Sequence, residues 1–268
     1  MKKLISLLIF TWLSCTLATA QCAIKNEAIQ AGEELVYNLK FNWKFVWVDA
    51  GTAQLKMEAI TYKQQPCYRS TLLSVSNKKV DFFFKMRDTV TTVTTSKLEP
   101  LYYRKGAEEG KRYTVDEAWF NYKENKVVVD QKRTYREGEV VLKKTEHEEC
   151  VYDMLSILMR ARSFQPENYK KGEKIKFLMA TGREVEEQTL IYRGKQVTTV
   201  EHGIKYRTLV FSLVEYPDGK EKEVITFYVT DDKNHLPVRL DLYLNFGSAK
   251  AYLSSVKGNK YELSSVVY

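Results

Sequence analysis

The chain is 268 residues long, 44% hydrophobic and 28% charged, with a formal net charge of +8. A chain of this length can bury a sizeable core, and its basic excess is spread along it rather than clustered, which argues against nucleic acid as a partner. Beyond the first residues, no stretch approaches the roughly 20 apolar residues of a membrane-spanning helix.

Lys2 and Lys3, the apolar run from Leu4 to Leu13, and then Ala18-Thr19-Ala20 follow the order of a secretory signal peptide cleaved after Ala20. Residues 21–268 then read as a single β-rich domain in the periplasm. Lipid anchoring at Cys15 is the less favoured reading, because Trp12 stands where such signals carry leucine. Cys22, Cys67 and Cys150 remain after cleavage. An exported compartment permits one bridge among them, and spacing does not say which two cysteines pair.

Alternation of apolar and polar residues dominates the mature chain. Leu35, Tyr37, Leu39 and Phe41 share one face, and Ala53, Leu55, Met57 and Ala59 share another. Near the end, Leu236, Val238, Leu240, Leu242, Leu244 and Phe246 repeat the pattern. This is the period of strands with one buried and one wet face. The run from Phe41 to Trp47 reads as one strand, with Trp43 and Trp47 on the same side. Phe82, Phe83 and Phe84 read as a strand that splits its aromatics between two faces. Turns are expected at Asn125-Lys126, Glu137-Gly138, Thr181-Gly182, Arg193-Gly194 and Pro217-Asp218-Gly219. Strands joined this closely must be largely antiparallel.

One segment follows a different period. Over residues 148–164, Val151, Met154, Leu155, Leu158 and Met159 are spaced by three and four. Acids at its start and arginines at its end suit the helix dipole, and Pro166 bars continuation. The spacing predicts one amphipathic helix of about four turns between two β-rich halves. The fold class is therefore mainly β: a curved antiparallel sheet or open barrel with one central helix.

Candidate chemistry is sparse. Adjacent acids such as Glu33-Glu34 and Asp231-Asp232 would point to opposite faces of a strand, so a glycosidase pair would need acids from separate strands. His147 and Cys150 make only half of a zinc site, and no metal or other cofactor is expected. Ser76-Asn77-Lys78-Lys79 matches a serine-lysine nucleophile pattern without its companion motifs, and we read it as a chance match.

Gly32-Glu33-Glu34-Leu35-Val36-Tyr37 and Trp47-Val48-Asp49-Ala50-Gly51 open a series of short motifs. Tyr152-Asp153-Met154-Leu155-Ser156, then Val229-Thr230-Asp231-Asp232 and Leu236-Pro237-Val238, continue it in order. Together they resemble domain-of-unknown-function family 3108. The resemblance implies an exported envelope protein of Gram-negative bacteria with no established activity. It also implies a fold similar to the open barrels of lipoprotein carriers, in which a helix closes part of an apolar cavity.

The expected function is a non-enzymatic periplasmic binding or carrier protein for an apolar or amphipathic, lipid-like ligand. Trp43, Trp47, Met154 and Leu158 are its candidate ligand-binding residues. An envelope interaction or scaffolding module, with an envelope protein as partner, is the alternative. A glycan-active enzyme is the second alternative. A membrane β-barrel fits poorly, since Val266, Ser264, Glu262 and Lys260 do not make a lipid-facing strand.

Overall fold

The computed structural model describes residues 22–43, 46–82, 85–123, 125–165, 169–244 and 247–268. The expected leader with Cys15, the aromatics Phe83, Phe84 and Phe246, and Pro166 lie outside the described residues.

The first half of the chain forms a meander of β1 (Glu34–Trp43), β2 (Val46–Tyr62), β3 (Gln65–Ser76), β4 (Met86–Thr95), β5 (Pro100–Glu109), β6 (Arg112–Lys123), β7 (Lys126–Tyr135) and β8 (Val140–His147). A short helix, α1 (Lys78–Asp81), interrupts it between β3 and β4. The second half holds β9 (Val151–Tyr152), α2 (Met154–Ala161), β10 (Lys174–Thr181), β11 (Glu184–Thr199), β12 (Lys205–Glu215), β13 (Lys222–Thr230), β14 (Pro237–Leu244), β15 (Gly247–Lys257) and β16 (Val266–Val267). All sixteen strands of the described residues belong to one sheet. Its order runs β8 to β1 and then β15 to β9, with β16 beside β12.

Chain connectivity bends this sheet round. β8 and β9 are at opposite ends of the strand order, yet only residues 148–150 separate His147 from Val151. Four residue steps reach at most about 14 Å, so the two edges must approach each other and the sheet is nearly closed into a barrel. Side chains complete the seam. Gln131 Nε2 of β7 donates to the carbonyls of Gly182 and Glu184 across it, and Lys143 pairs with Glu184. The open edge of β8 carries Lys143 and Lys144, which discourage further strand addition.

The main core gathers alternate residues of β1–β7, among them Leu35, Leu55, Val90, Tyr103, Phe120 and Val129. Leu155 and Met159 of α2 and Ile29 of the N-terminal segment belong to the same core. A second cluster forms around Leu190, Tyr192, Leu209 and Phe211, where the rings of Tyr192 and Phe211 lie 5.1 Å apart.

Four expectations are corrected. The helix is Met154–Ala161 rather than residues 148–164. Asp153 starts it with a capping box, its carboxylate accepting from Leu155 N and Ser156 N while Ser156 Oγ accepts from Asp153 N. Val151 and Tyr152 instead pair in parallel with Leu178 and Met179, the one parallel pairing of the described strands. Trp43 and Trp47 belong to two facing strands, because the chain turns back between β1 and β2. They sit on neighbouring rungs, Trp43 opposite Val46 and Trp47 opposite Asn42. Phe82 caps α1 instead of continuing a strand, because Asn77 captures Lys79 N and Val80 N. Arg193-Gly194 is a bulge within β11, where Gly194 takes φ +101°.

Candidate functional site

The two ends of the barrel differ. Near the start of β1 lie the N-terminal segment, the end of α2, the β13–β14 turn and the C-terminal segment. A disulfide between Cys22 and Cys150 fastens the first of these, and among the described residues Cys67 is the free cysteine, buried. Burial raises the pKa of the Cys67 thiol, which keeps it protonated and unreactive.

A pocket of about 660 Å³ opens at this end. Ile24, Ile29 and Tyr68 supply its apolar surface, and Lys25, Lys97 and Lys260 ring it with positive charge. The walls are held by short-range bonds. Ile24 N donates to Lys97 O at 3.0 Å, clipping the N-terminal segment to the β4–β5 turn. The Asn26 side chain brackets Ile29, accepting from its N at 3.0 Å and donating to its O at 2.9 Å. Lys260 Nζ reaches Glu27 O at 2.9 Å. Lys25 pairs with Glu27 at 2.7 Å, and the hydrogen bond to that carboxylate raises the lysine's pKa.

The sequence-predicted site residues do not converge on this pocket. Trp47 lies on the face of β1–β2 that carries Lys40 and Asn42, with the Lys250 ammonium 4.6 Å from its ring. Met154 is exposed on α2, while Leu158 packs against the main core. The C-terminal end of α2 reaches Glu33, nine residues before the rung of Trp47, so about 30 Å of strand separates them. Trp43 contributes its place in the ladder, opposite Val46. Sequence reasoning missed the pocket because its lysines and isoleucines come from three distant segments. The signal available was Ile24 and Ile29 beside Lys25, apolar and basic residues mixed within one short segment.

One solved structure shares the architecture. A β-barrel-like protein of the domain of unknown function DUF1849 from Brucella abortus superposes with a TM-score of 0.57 at 10% identity, over 84% of this chain and 96% of that one. A protein with YmcC-like fold from Bacteroides fragilis aligns over 88% of this chain and 100% of that one, at 8% identity and a TM-score of 0.35. No curated protein matches the chain. The family model described as "Protein of unknown function (DUF3108)" matches residues 36–254. The chain belongs to this family.

The short motifs that resemble DUF3108 have structural employment in this member. Glu33 accepts from Arg162 Nη1 and Nη2, at 2.5 and 2.8 Å, and both side chains are buried. Arg162 also donates to Asn234 O, and Tyr37 Oη donates to Pro237 O at 2.9 Å. Asp232 accepts from Thr230 Oγ1, Asn234 N and Ser265 Oγ. Gly51 approaches β3 so closely that a Cβ there would lie 2.1 Å from Val75 O. These residues join distant segments. The Ser76 hydroxyl is similarly engaged, donating to Asp81 and accepting from Met86 N. Cys150 is consumed by the disulfide, and His147 bonds Thr145. Among the described residues no three His, Cys, Asp or Glu side chains gather as metal ligands.

A polar cluster lies on the core-facing side of β4 and β5 in this DUF3108 protein. Lys105 Nζ is 3.8 Å from Asp88 Oδ2 and 3.2 Å from Glu109 Oε1. Asp88 is buried with Oδ1 unpartnered. Burial pushes its pKa up to about 6, and the neighbouring Glu109 adds to the rise while Lys105 opposes it. A carboxyl group whose folded pKa exceeds its unfolded value stabilises the fold most at low pH, and that contribution is lost as pH rises through the folded value. Between about pH 4 and 6, Asp88 therefore makes stability decline. Asp88→Asn is expected to abolish this decline and to raise stability at pH 7 by about 1–3 kcal/mol. Urea titrations across that range check it; a variant equally pH-dependent and no more stable would refute the assignment.

Proposed function

We propose that the protein is an exported, non-enzymatic binding or carrier protein whose ligand is amphipathic, with an apolar body and an anionic head. The observation that carries this reading is the pocket beside the N-terminal segment, where Ile24, Ile29 and Tyr68 adjoin Lys25, Lys97 and Lys260. Its volume falls within the roughly 300–1,000 Å³ of small-molecule sites. The Cys22–Cys150 bridge supports export to an oxidising compartment such as the periplasm. No helix among the described residues is long and apolar enough to cross a membrane.

Titration of the detergent-free protein with lauric acid, read by displacement of a fluorescent fatty acid, tests the site. Lys25→Glu with Lys97→Glu is expected to weaken binding by about tenfold or more, since charged hydrogen bonds are worth roughly 1.5–3 kcal/mol. Absence of binding, or binding indifferent to both substitutions, would reject the pocket.

A second reading, a glycan-active enzyme, draws on Asp88 and Glu109. Both carboxylates contact Lys105, at 3.8 and 3.2 Å, and glycosidases work through a pair of carboxyl groups. The raised pKa of Asp88 suits a general acid. This reading requires glycan hydrolysis that Asp88→Asn and Glu109→Gln each abolish.

A further inference from the structure

The end of the barrel opposite the pocket carries an arc of exposed apolar side chains. Val46 and Trp47 are at the β1–β2 tip, Tyr243 and Leu244 at the β14–β15 tip, and Phe82 follows α1. Phe82 is 86% exposed and Val46 62%. The three features adjoin. At the β14–β15 tip, a Cβ on Gly247 would meet Asn42 O at 3.1 Å, while Asn77 N beside α1 donates to Ala50 O of β2 at 2.9 Å. Five large apolar side chains thus stand on neighbouring protrusions.

The charges around the arc say what covers it. Lys78 and Lys79 are exposed, and Lys250 stands over the Trp47 ring. Of the nearby acids, Asp81 pairs with Arg87 at 2.5 Å, and Asp49 shares Lys40 with Glu201, at 2.9 and 3.0 Å. The surface is thus apolar at its points and cationic between them. A second copy of the chain packed here about a two-fold axis would set Lys78 and Lys79 against their own counterparts or against Lys250. An anionic bilayer offers complementary chemistry: phosphates for the lysines and an interfacial layer that favours Trp and Tyr.

We propose that this end of the protein docks on an anionic lipid bilayer, with Trp47, Phe82 and Tyr243 entering the headgroup layer and Lys78, Lys79 and Lys250 facing lipid phosphates. The docking surface is separate from the ligand pocket and does not depend on it.

Co-sedimentation of the detergent-free mature protein with phosphatidylcholine vesicles, with and without phosphatidylglycerol, tests the proposal. Binding is expected to the phosphatidylglycerol vesicles and to weaken with added salt. Lys78→Ser with Lys79→Ser should lower partitioning roughly thirtyfold, at about fivefold per lysine near an anionic surface. Trp47→Ser and Phe82→Ser should each lower it as well, while Lys97→Glu in the pocket leaves it unchanged. Circular dichroism of the same variants verifies their folding. No sedimentation with anionic vesicles, partitioning equal in folded rim variants and parent, or a rim-dependent dimer in place of vesicle binding would each overturn the proposal.

Discussion

Replacing Cys22 and Cys150 together by serine is expected to cost about 5 kcal/mol of stability. The bridge closes a loop of 128 residues, and the chain-entropy relation for a loop of that length gives about 5 kcal/mol at room temperature. Both cysteines occupy consequential places. Cys22 is fully buried and its carbonyl accepts from Arg160 Nη1 at 2.8 Å, while Cys150 directly precedes β9. The bridge therefore ties the N-terminal segment to the crossing from one sheet edge to the other. Denaturant midpoints of oxidised protein and the double serine variant measure the effect. The same variant should lose lauric acid binding, since the segment it releases forms one wall of the pocket. Equal midpoints would show that packing of Ala28 and Ile29 and the hydrogen bonds of the segment hold it without the bridge. Cys67→Ser provides the control, because that thiol is buried in a separate cluster with Val93 and Leu101.

Local periodicity revealed the strands because burial in this sheet follows the pleat. Leu35 and Tyr37, or Leu55 and Met57, are buried on alternate positions, as their spacing requires. The antiparallel connections followed from turn lengths, and the near-closure of the sheet agrees with the expected open barrel. Where the reading failed, a backbone group had been captured by a side chain or the chain had reversed direction. The run through Trp43 and Trp47 alternates as a strand would, but its pattern does not distinguish a continuous strand from a hairpin without a strong turn signal. The helical period extends ahead of the helix because Val151 satisfies a three-residue spacing to Met154 while pairing with β10. The capping signal at Asp153 and Ser156 was present in the sequence and marks the true start. Pairing of Cys22 with Cys150, and the gathering of Lys25, Lys97 and Lys260, depend on contacts between segments far apart in the chain. No local pattern encodes those contacts.

The same separation explains why Glu33 and Arg162 looked ordinary in sequence, and it makes Arg162→Ala the most damaging single substitution we expect. Arg162 ends α2 with 1% of its side chain exposed, and Glu33 immediately before β1 has 2%. Desolvating two charges is costly, and a buried ion pair is by itself weak evidence of net stabilisation. Its removal by halves is a different matter. Arg162→Ala leaves the Glu33 carboxylate buried without its two guanidinium donors, and Asn234 O loses its guanidinium donors as well. Breaking one side of such a pair costs about 3–5 kcal/mol. Adding Glu33→Gln should recover part of that loss, because the neutral amide tolerates burial better than an orphaned carboxylate. A double-mutant cycle by urea denaturation measures the coupling, expected at about 1–3 kcal/mol for directly contacting partners. Independent, additive losses would mean that Arg162 acts by packing alone. Strong coupling would show that the end of α2, the start of β1 and the β13–β14 turn are held in register through this one buried pair.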